Sequence, residues 1–447
     1  MPSYTIHTTI VCTPIGASST TLQAKDYQRT PIRILNGALR AANTIGLAKF
    51  TMNVDGLLAS ARKETGLADF GDDSFLEPLR ILVKSYEEEA DLNPVGRFLA
   101  RSNISRLLKG RLQAEDLIAR HPEILERELG DPVVIVGLAR SGTTRLHRLL
   151  AADERFLHLK SWESVYPVPY PECFSARDEG KTDPRIIALE QGLKAVLYMG
   201  PQIAAVHPLG TFEVEEEIGL LQHAFATQLF EIQSQLPSFA HHLMTTDQTP
   251  AYAYLARMMK IVSWFRNDPP GKQWLLKSPQ HMQDLDALMN IFPGARILCP
   301  HRDPVKVVGS SCSMAWNSVV RDNDSVTPQW VGNEWFTKTQ SMLKKTLATR
   351  ETIPANQQHD LLYADITADW QQAMQGVYDF LGIPFAYQAR NGMQQWLDEN
   401  QQHKHGAHKY SLDEFGLDTQ QVRSALAFYS ERFNIPEETR NPHATNA

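Results

Sequence analysis

Cysteine is scarce in this chain, and the few cysteines present do not form a recognisable site. The 447 residues include four, Cys12, Cys173, Cys299 and Cys312, which are scattered without the spacing of a metal site. This argues against a disulfide scaffold and against a zinc centre built on cysteine. Cys299 lies in an apolar strand pattern, and we expect it to be a buried free thiol, as suits a reducing compartment.

Long apolar runs and an excess of positive charge are also missing. No run approaches the length of a membrane span. The N-terminus lacks the basic segment and apolar core of a secretion signal, so we expect a cytoplasmic protein. The net charge of −7 argues against a general nucleic-acid binder, whose footprint is basic. A hydrophobic content of 43% and a charged content of 21% are typical of a soluble globular protein.

The patterning of the chain divides it into a leading part and a main domain, without internal repeats. Residues 1–30 are predicted to form a flexible arm and residues 31–130 an N-terminal helical extension. From 131 to 447 strand and helix patterns alternate, apart from a helical insertion or lid at about 183–267. This alternation predicts an α/β fold with a mainly parallel sheet flanked by helices. Strands are expected at 133–136, 273–276, 295–299 and 360–363.

The segment 132–150, PVVIVGLARSGTTRLHRLL, predicts a buried strand, a tight turn and a helix. Gly137 and Gly142 bracket the turn, which aims backbone N–H groups and a helix N-terminus at one point and so favours a phosphate or sulfate group. A nucleotide-binding P-loop of the ATP type needs Lys-Ser/Thr after the second glycine. Here Thr143 and Thr144 follow, and the cation lies inside the loop, at Arg140.

Two further motifs fall where later strands are predicted to end. Lys277 ends one strand and Arg302 ends another, and ligands bind at the carboxyl ends of parallel strands. Ser278 is a good helix N-cap, which places His281 in the first turn of a helix. A helix N-terminus disfavours the imidazolium, so we expect a neutral His281 that can accept a proton.

These motifs, in this order, resemble those of the sulfotransferases that use 3′-phosphoadenosine 5′-phosphosulfate (PAPS), over a region from about residue 131 to the C-terminus. The pair Trp162-Glu163 and the leading helical segment are most similar to the bacterial sulfotransferase-like branch. The resemblance implies that the loop binds the 5′-phosphosulfate and that Arg302 and Ser310 bind the 3′-phosphate. It implies these donor-binding residues: Arg140, Ser141, Gly142, Thr143, Thr144, Arg302, Ser310, Tyr363 and Lys404.

The resemblance also implies the catalytic groups. Lys277 corresponds to the lysine that contacts the sulfuryl group, and Arg140 adds positive charge as the bridging oxygen is released. His281 corresponds to the base that deprotonates the acceptor. It lies four residues after the lysine, whereas in the cytosolic enzymes the histidine lies two residues after it. Glu163 is the rival base. The implied reaction is an in-line, metal-independent sulfuryl transfer that leaves adenosine 3′,5′-bisphosphate.

The sequence leaves two alternative functions open. One is a kinase with a variant P-loop, and the other is a non-catalytic nucleotide-binding scaffold.

The acceptor is expected to be a small molecule or lipid that bears a hydroxyl or an amine. Aromatic residues in the insertion favour a hydrophobic acceptor; the alternative is that these residues belong to the hydrophobic core. The acidic residues Glu213 and Glu215–Glu217 are interpreted as a solvated helix face or a lid for a cationic acceptor. The histidines at 403, 405 and 408 are interpreted as part of a C-terminal loop over the nucleotide rather than a metal site. The oligomeric state is open, with a homodimer as one option.

Overall fold

A four-stranded parallel sheet lies at the centre of the protein. The structure is a computed structural model that describes residues 22–45, 51–203, 210–400 and 410–438. Its strands are β1 Val133–Ile135, β2 Leu159–Lys160, β3 Val214–Glu215, β4 Leu275–Lys277, β5 Arg296–His301 and β6 Gln358–Leu362. The sheet order is β4-β1-β5-β6 with every pair parallel, while β2 and β3 form a separate antiparallel pair. The carboxyl ends of the four parallel strands therefore meet at one edge, and the predicted fold class is confirmed.

Helices surround this sheet. Among the described residues, four helices precede it: α1 Thr30–Thr44, α2 Val54–Thr65, α3 Leu76–Glu88 and α4 Pro94–Arg120. Eight described helices lie between β1 and β4: α5 Thr143–Ala151, α6 Ser161–Val165, α7 Pro171–Asp178, α8 Pro184–Met199, α9 Ile218–Leu221, α10 Leu229–Gln233, α11 Pro237–Thr245 and α12 Thr249–Arg266. The others are α13 Leu285–Ile291, α14 Pro304–Val319, α15 Pro328–Arg350, α16 Tyr363–Ala368, α17 Trp370–Leu381, α18 Tyr387–Glu399, α19 Thr419–Ala425 and α20 Ala427–Arg432.

Strands β1, β4 and β5 are buried, which explains why they are largely apolar, whereas the edge strand β6 is more polar and only partly buried. Side chains of alternate residues enter two different hydrophobic clusters. Val133 and Ile135 pack with α5, α17 and α18, whereas Val134 packs in the larger cluster with α4, α12, α14 and α15. Aromatic and sulfur-containing side chains of the insertion belong to this larger core, namely Phe225, Phe230, Tyr252, Tyr254 and Met258.

The strands lie where the apolar runs predict them, with shifts of a few residues at their ends. The largest consequence concerns Tyr363, which begins α16 rather than ending β6. Gly382 follows α17 with a left-handed φ of 68°. Local signals were sufficient for β1, β4 and β5 because each is short, largely apolar and followed by a strong turn or helix-start signal.

The cysteines form no site in the part of the chain that the structure describes. Cys173, Cys299 and Cys312 are buried free thiols, and Cys12 lies outside the described residues. Burial raises the pKa of Cys299 to about 12. Within the described ranges, no group of histidine, cysteine and carboxylate side chains is arranged to hold a metal ion. None of the described helices has both the length and the apolar character needed to cross a membrane.

Candidate functional site

The loop between β1 and α5 is shaped by two residues with left-handed backbones. Arg140 has a φ of 72° and Gly142 a φ of 93°. A Cβ atom on Gly142 would lie 2.7 Å from the ring of Tyr363, so this position accepts only glycine without movement of the ring. The Ser141 hydroxyl donates to the Leu138 carbonyl at 2.7 Å and tightens the turn. The loop therefore leads directly into the N-terminus of α5, whose first N–H groups have no partners within the helix.

Four of the predicted donor-binding residues meet beside this loop. Arg140 Nε donates to Ser310 Oγ at 2.8 Å, and Arg302 Nη1 donates to the Arg140 carbonyl at 3.0 Å. The Arg302 guanidinium stacks 4.1 Å above the ring of Tyr363. Burial lowers the pKa of Arg140, and the nearby charge of Arg302 lowers it further. An anion bound between the two arginines would offset this repulsion.

The outer side of Arg302 is held by a carboxylate that the sequence did not indicate. Glu438 receives two hydrogen bonds from the guanidinium, at 2.6 and 2.8 Å, and its own backbone N–H donates to Asp303 at 2.8 Å. This paired geometry is the one that arginine also uses for phosphate. A carboxylate thus binds Nε and Nη2 of Arg302, the residue to which the sequence assigned the 3′-phosphate.

Lys277 lies at the same edge of the sheet because β4 pairs with β1 in register. Its backbone aligns with Ile135, two residues before Gly137. The buried ammonium lies 3.4 Å from Thr144 Oγ1 and forms an ion pair with Glu216. The structure therefore brings together the lysine and the loop. Thr143 is buried at the start of α5, and Lys404 lies outside the described residues.

His281 is placed differently from the sequence expectation. Ser278 does act as an N-cap, but of a single 3-10 turn, Pro279–Met282. The imidazole is fully buried, with Nδ1 2.7 Å from the Tyr252 hydroxyl and Nε2 against the Glu217 carboxylate. The other Glu217 oxygen accepts the Lys277 backbone N–H at 3.0 Å. His281 thus ends a buried chain that reaches the backbone of Lys277.

Glu217 carries the negative charge in this buried chain of hydrogen bonds. Burial alone would raise the pKa of the carboxyl, but the adjacent His281 and the backbone N–H of Lys277 bring it below its usual value. The carboxylate therefore stays ionised inside the protein. Its two oxygens connect the imidazole to the end of β4, which fixes the direction in which the lysine side chain leaves the strand.

Both carboxylate oxygens of Glu163 form contacts within the protein. One carboxylate oxygen accepts from Arg266 Nε at 2.6 Å, and the other contacts Arg266 Nη2 and accepts the Lys160 backbone N–H at 2.8 Å. The side chain is buried. In this arrangement Glu163 caps α6 and anchors the end of α12.

The acidic residues near 215 do not form a solvated helix face. They lie within or beside β3, and each of the four has a partner within the protein: Glu213 pairs with Arg148 at 3.0 Å, Glu215 accepts from Ser161 at 3.2 Å, Glu216 pairs with Lys277, and Glu217 contacts His281. The side chain of Glu216 is 14% exposed. No local signal distinguishes it from its neighbours.

The loop, the two arginines and the strand-end lysine define the class of the protein. They describe an α/β protein with a P-loop-like turn, beside which two arginines and a strand-end lysine supply positive charge. Comparison with known proteins specifies the family.

The model of the sulfotransferase family matches residues 132–387, more than half of the chain, and the chain belongs to this family. The omega-hydroxy-beta-dihydromenaquinone-9 sulfotransferase Stf3 of Mycobacterium bovis is 21% identical over 356 residues, covering 75% of this chain and 81% of the relative. The crystal structure of sulfotransferase STF1 from Mycobacterium tuberculosis has a TM-score of 0.73 at 28% identity, covering 85% of this chain and all of the other. Sulfotransferase STF9 from Mycobacterium avium has a TM-score of 0.75 at 25% identity, covering 87% and 98%. The protein is a sulfotransferase, and the kinase and scaffold alternatives are not favoured.

Proposed function

We propose that this sulfotransferase transfers a sulfuryl group from PAPS to a hydroxyl group of a lipid-like acceptor without a metal ion. The observation that carries the proposal is the convergence of Arg140, Arg302 and Ser310 at the sheet edge where Lys277 contacts the loop. In this proposal Arg140 and Lys277 would contact the 5′-phosphosulfate of the donor, and Arg302 and Ser310 would contact its 3′-phosphate.

The residues around the loop fit such a donor. Backbone N–H groups from Ser141 to Thr144 and the Arg140 side chain would hold the 5′ side. Arg302 and Ser310 would hold the 3′-phosphate, with Tyr363 beside the nucleotide and Lys404 assigned near the 3′-phosphate from the sequence alone. The close contact between Gly142 and the Tyr363 ring supports this assignment, since it joins the loop to the nucleotide side of the site.

The transfer step balances without a metal. The acceptor oxygen loses its proton to a base and forms a bond to sulfur as the bond from sulfur to the 5′-phosphate oxygen breaks. Lys277 and Arg140 stabilise the negative charge that develops on that leaving oxygen. Because both cations belong to the protein and are already positioned, no divalent ion has to neutralise the leaving group.

We assign the base to Glu216. The alternatives, His281 and Glu163, both have all their acceptor atoms engaged in buried contacts. Glu216 follows β3 directly, retains some exposure and contacts the ammonium of Lys277, which also reaches Thr144 of the loop. Lys277 would exchange this contact for the leaving oxygen of the donor, while the Glu216 carboxylate would accept the proton of the acceptor.

The acceptor class rests on the relatives. The name of Stf3 states that it acts on an omega-hydroxy-beta-dihydromenaquinone, a hydroxylated lipid. By similarity we assign a hydroxyl group on a long apolar molecule to the present chain, in agreement with the hydrophobic acceptor that the sequence favours.

A thermal-shift experiment tests the donor assignment. In buffer containing EDTA, adenosine 3′,5′-bisphosphate should raise the melting temperature more than ATP or ADP, which lack the 3′-phosphate. A ligand at a hundred times its dissociation constant stabilises a protein by about 2.7 kcal/mol, which such an assay resolves. A larger shift with magnesium-ATP, or a bisphosphate shift that EDTA abolishes, would contradict the proposal. Transfer from radiolabelled PAPS to a hydroxylated isoprenoid, compared with a water-soluble phenol, then tests the acceptor class.

A further inference from the structure

Helix α1 exposes several apolar side chains to solvent, whereas an ordinary surface helix turns such residues toward the core. Its inner side is marked by the buried Asn36, whose side-chain oxygen accepts the Val95 backbone N–H of α4 at 2.9 Å. Ile34 and Ile45 lie on the opposite side and are 67% and 72% exposed. Ala38 and Ala41 are exposed between them, so one apolar stripe runs along the whole helix.

The charge on α1 is of one sign. Residues 30–44 contain no aspartate or glutamate, and Arg33 is exposed beside the apolar stripe, with Arg29 just before the helix. Arg29 lies 4.9 Å above the ring of Tyr198, a half-exposed aromatic residue of α8. An apolar stripe flanked by arginine and a tyrosine is the composition of helices that lie in the interface of a lipid bilayer. It occurs here on a chain whose net charge is −7.

We propose that α1 docks the protein on the surface of an anionic lipid bilayer. Ile34, Ala38, Ala41 and Ile45 would enter the acyl boundary, while Arg29 and Arg33 would contact anionic headgroups. A helix of 15 residues is about 22 Å long, too short to cross the hydrocarbon core, so it would lie in the plane of the surface. The proposal extends the lipid-like acceptor of the proposed function, since docking brings the enzyme to the phase in which such an acceptor dissolves.

A lipid surface fits this face better than a second copy of the chain. Two copies meeting through α1 would bring arginines together without a carboxylate on either helix to pair with them. Arg40, the remaining arginine of α1, already pairs with Asp324 of its own chain. Anionic headgroups supply the missing negative charge.

Co-sedimentation of the full chain with vesicles tests the proposal. Wild type should bind vesicles of phosphatidylcholine with phosphatidylglycerol. Ile34→Ser/Ile45→Ser should lower the partition coefficient by about tenfold or more, because two apolar side chains no longer enter the bilayer. Arg29→Gln and Arg33→Gln should each lower it by about fivefold on these vesicles and leave binding to pure phosphatidylcholine unchanged. Tyr387→Ser is the matched control, because Tyr387 is also 72% exposed but lies on α18.

Three results would overturn the proposal: no vesicle binding by wild type, equal loss in the Tyr387→Ser control, or a wild-type dimer that Ile34→Ser/Ile45→Ser makes monomeric in the absence of lipid. The last result would assign α1 to a second copy. The thermal shift with adenosine 3′,5′-bisphosphate, measured on the same preparations, shows whether the variants are folded. It also separates the two proposals, since nucleotide binding does not depend on α1.

Discussion

Three cations of the site are each held by a different kind of contact. Arg302 lies between an aromatic ring and a carboxylate, and Arg140 donates to the Ser310 hydroxyl from a left-handed backbone. Lys277 is buried against Glu216. A non-glycine residue with positive φ costs of order 1–3 kcal/mol when the surroundings impose it. The fold therefore maintains the position of Arg140 at an energetic cost, as expected for a group that must be in place before the donor arrives.

Arg302→Ala should weaken the binding of adenosine 3′,5′-bisphosphate far more than the binding of the acceptor. Loss of a charge-assisted phosphate contact costs about 1.5–3 kcal/mol, or about tenfold to more than a hundredfold in affinity. Titration calorimetry measures the effect. Arg423→Ala is the control, because Arg423 pairs with Glu437 and Asp303 and its loss loosens the same C-terminal segment without removing Arg302. Equal affinities for wild type and Arg302→Ala would refute the 3′-phosphate assignment.

Glu216→Gln should lower kcat by about 10²–10⁴-fold, since the amide cannot accept the proton of the acceptor. Affinity for the bisphosphate should stay near that of wild type. Glu215→Gln, one residue away and bonded to Ser161, should retain activity and serves as the control. If Glu216→Gln is active while His281→Asn or Glu163→Gln loses turnover with nucleotide affinity intact, the base is one of the two groups first expected from the sequence.

At the scale of elements, the strands were predictable to within a few residues at their ends, and partnerships between distant side chains were not. The apolar runs before Gly137 and Lys277 give the strands, and parallel pairing then places both at one edge. Glu216 and Glu438, in contrast, reach their partners across 61 and 136 residues. A carboxylate in a sequence carries no sign of which distant cation it will meet. The same holds for His281, because its N-cap signal is local while Tyr252 and Glu217 approach from other elements.

The start of α13 carries a buried carboxyl whose ionisation opposes folding. Burial raises the pKa of Asp284 to about 7, against 3.8 for an ordinary aspartate. Between these pH values the folded state holds one more proton than the unfolded state, so the free energy of unfolding falls as pH rises. Asp284→Asn removes this effect and keeps an acceptor for the Gln280 amide, 3.0 Å away. Its melting temperature should exceed that of wild type by more at pH 8 than at pH 5. A difference independent of pH would contradict the assignment.

At the scale of the whole molecule, the leading helices and the sheet share one core. Leu107 of α4 and Leu79 of α3 belong to the same buried cluster as Val134 of β1 and Ile297 of β5. Because these side chains pack together, the helices before residue 131 should unfold with the sheet.

Leu107→Ala tests this cooperativity. Leu107 is fully buried, and such a truncation costs about 2–5 kcal/mol. Urea unfolding followed by circular dichroism and by tryptophan fluorescence should show one coincident transition, shifted to lower urea in the variant. The exposed Phe98, on the same helix, provides Phe98→Ala as a control with a small effect. Two separate transitions, with only one of them shifted, would show that the leading helices fold as an independent unit.

The contact between Arg302 and Glu438 gives the proposed site an internal competitor. A phosphate that binds Arg302 must displace the Glu438 carboxylate, because the guanidinium is already paired. Binding is therefore an exchange of one anion for another. The net gain is the difference between two contacts, which limits how tightly either the donor or the spent nucleotide is retained. When the spent nucleotide leaves, the Glu438 carboxylate can pair with Arg302 again, so the guanidinium does not remain without an anionic partner. A C-terminal segment placed in this way favours rapid replacement of one nucleotide by the next over tight storage of either.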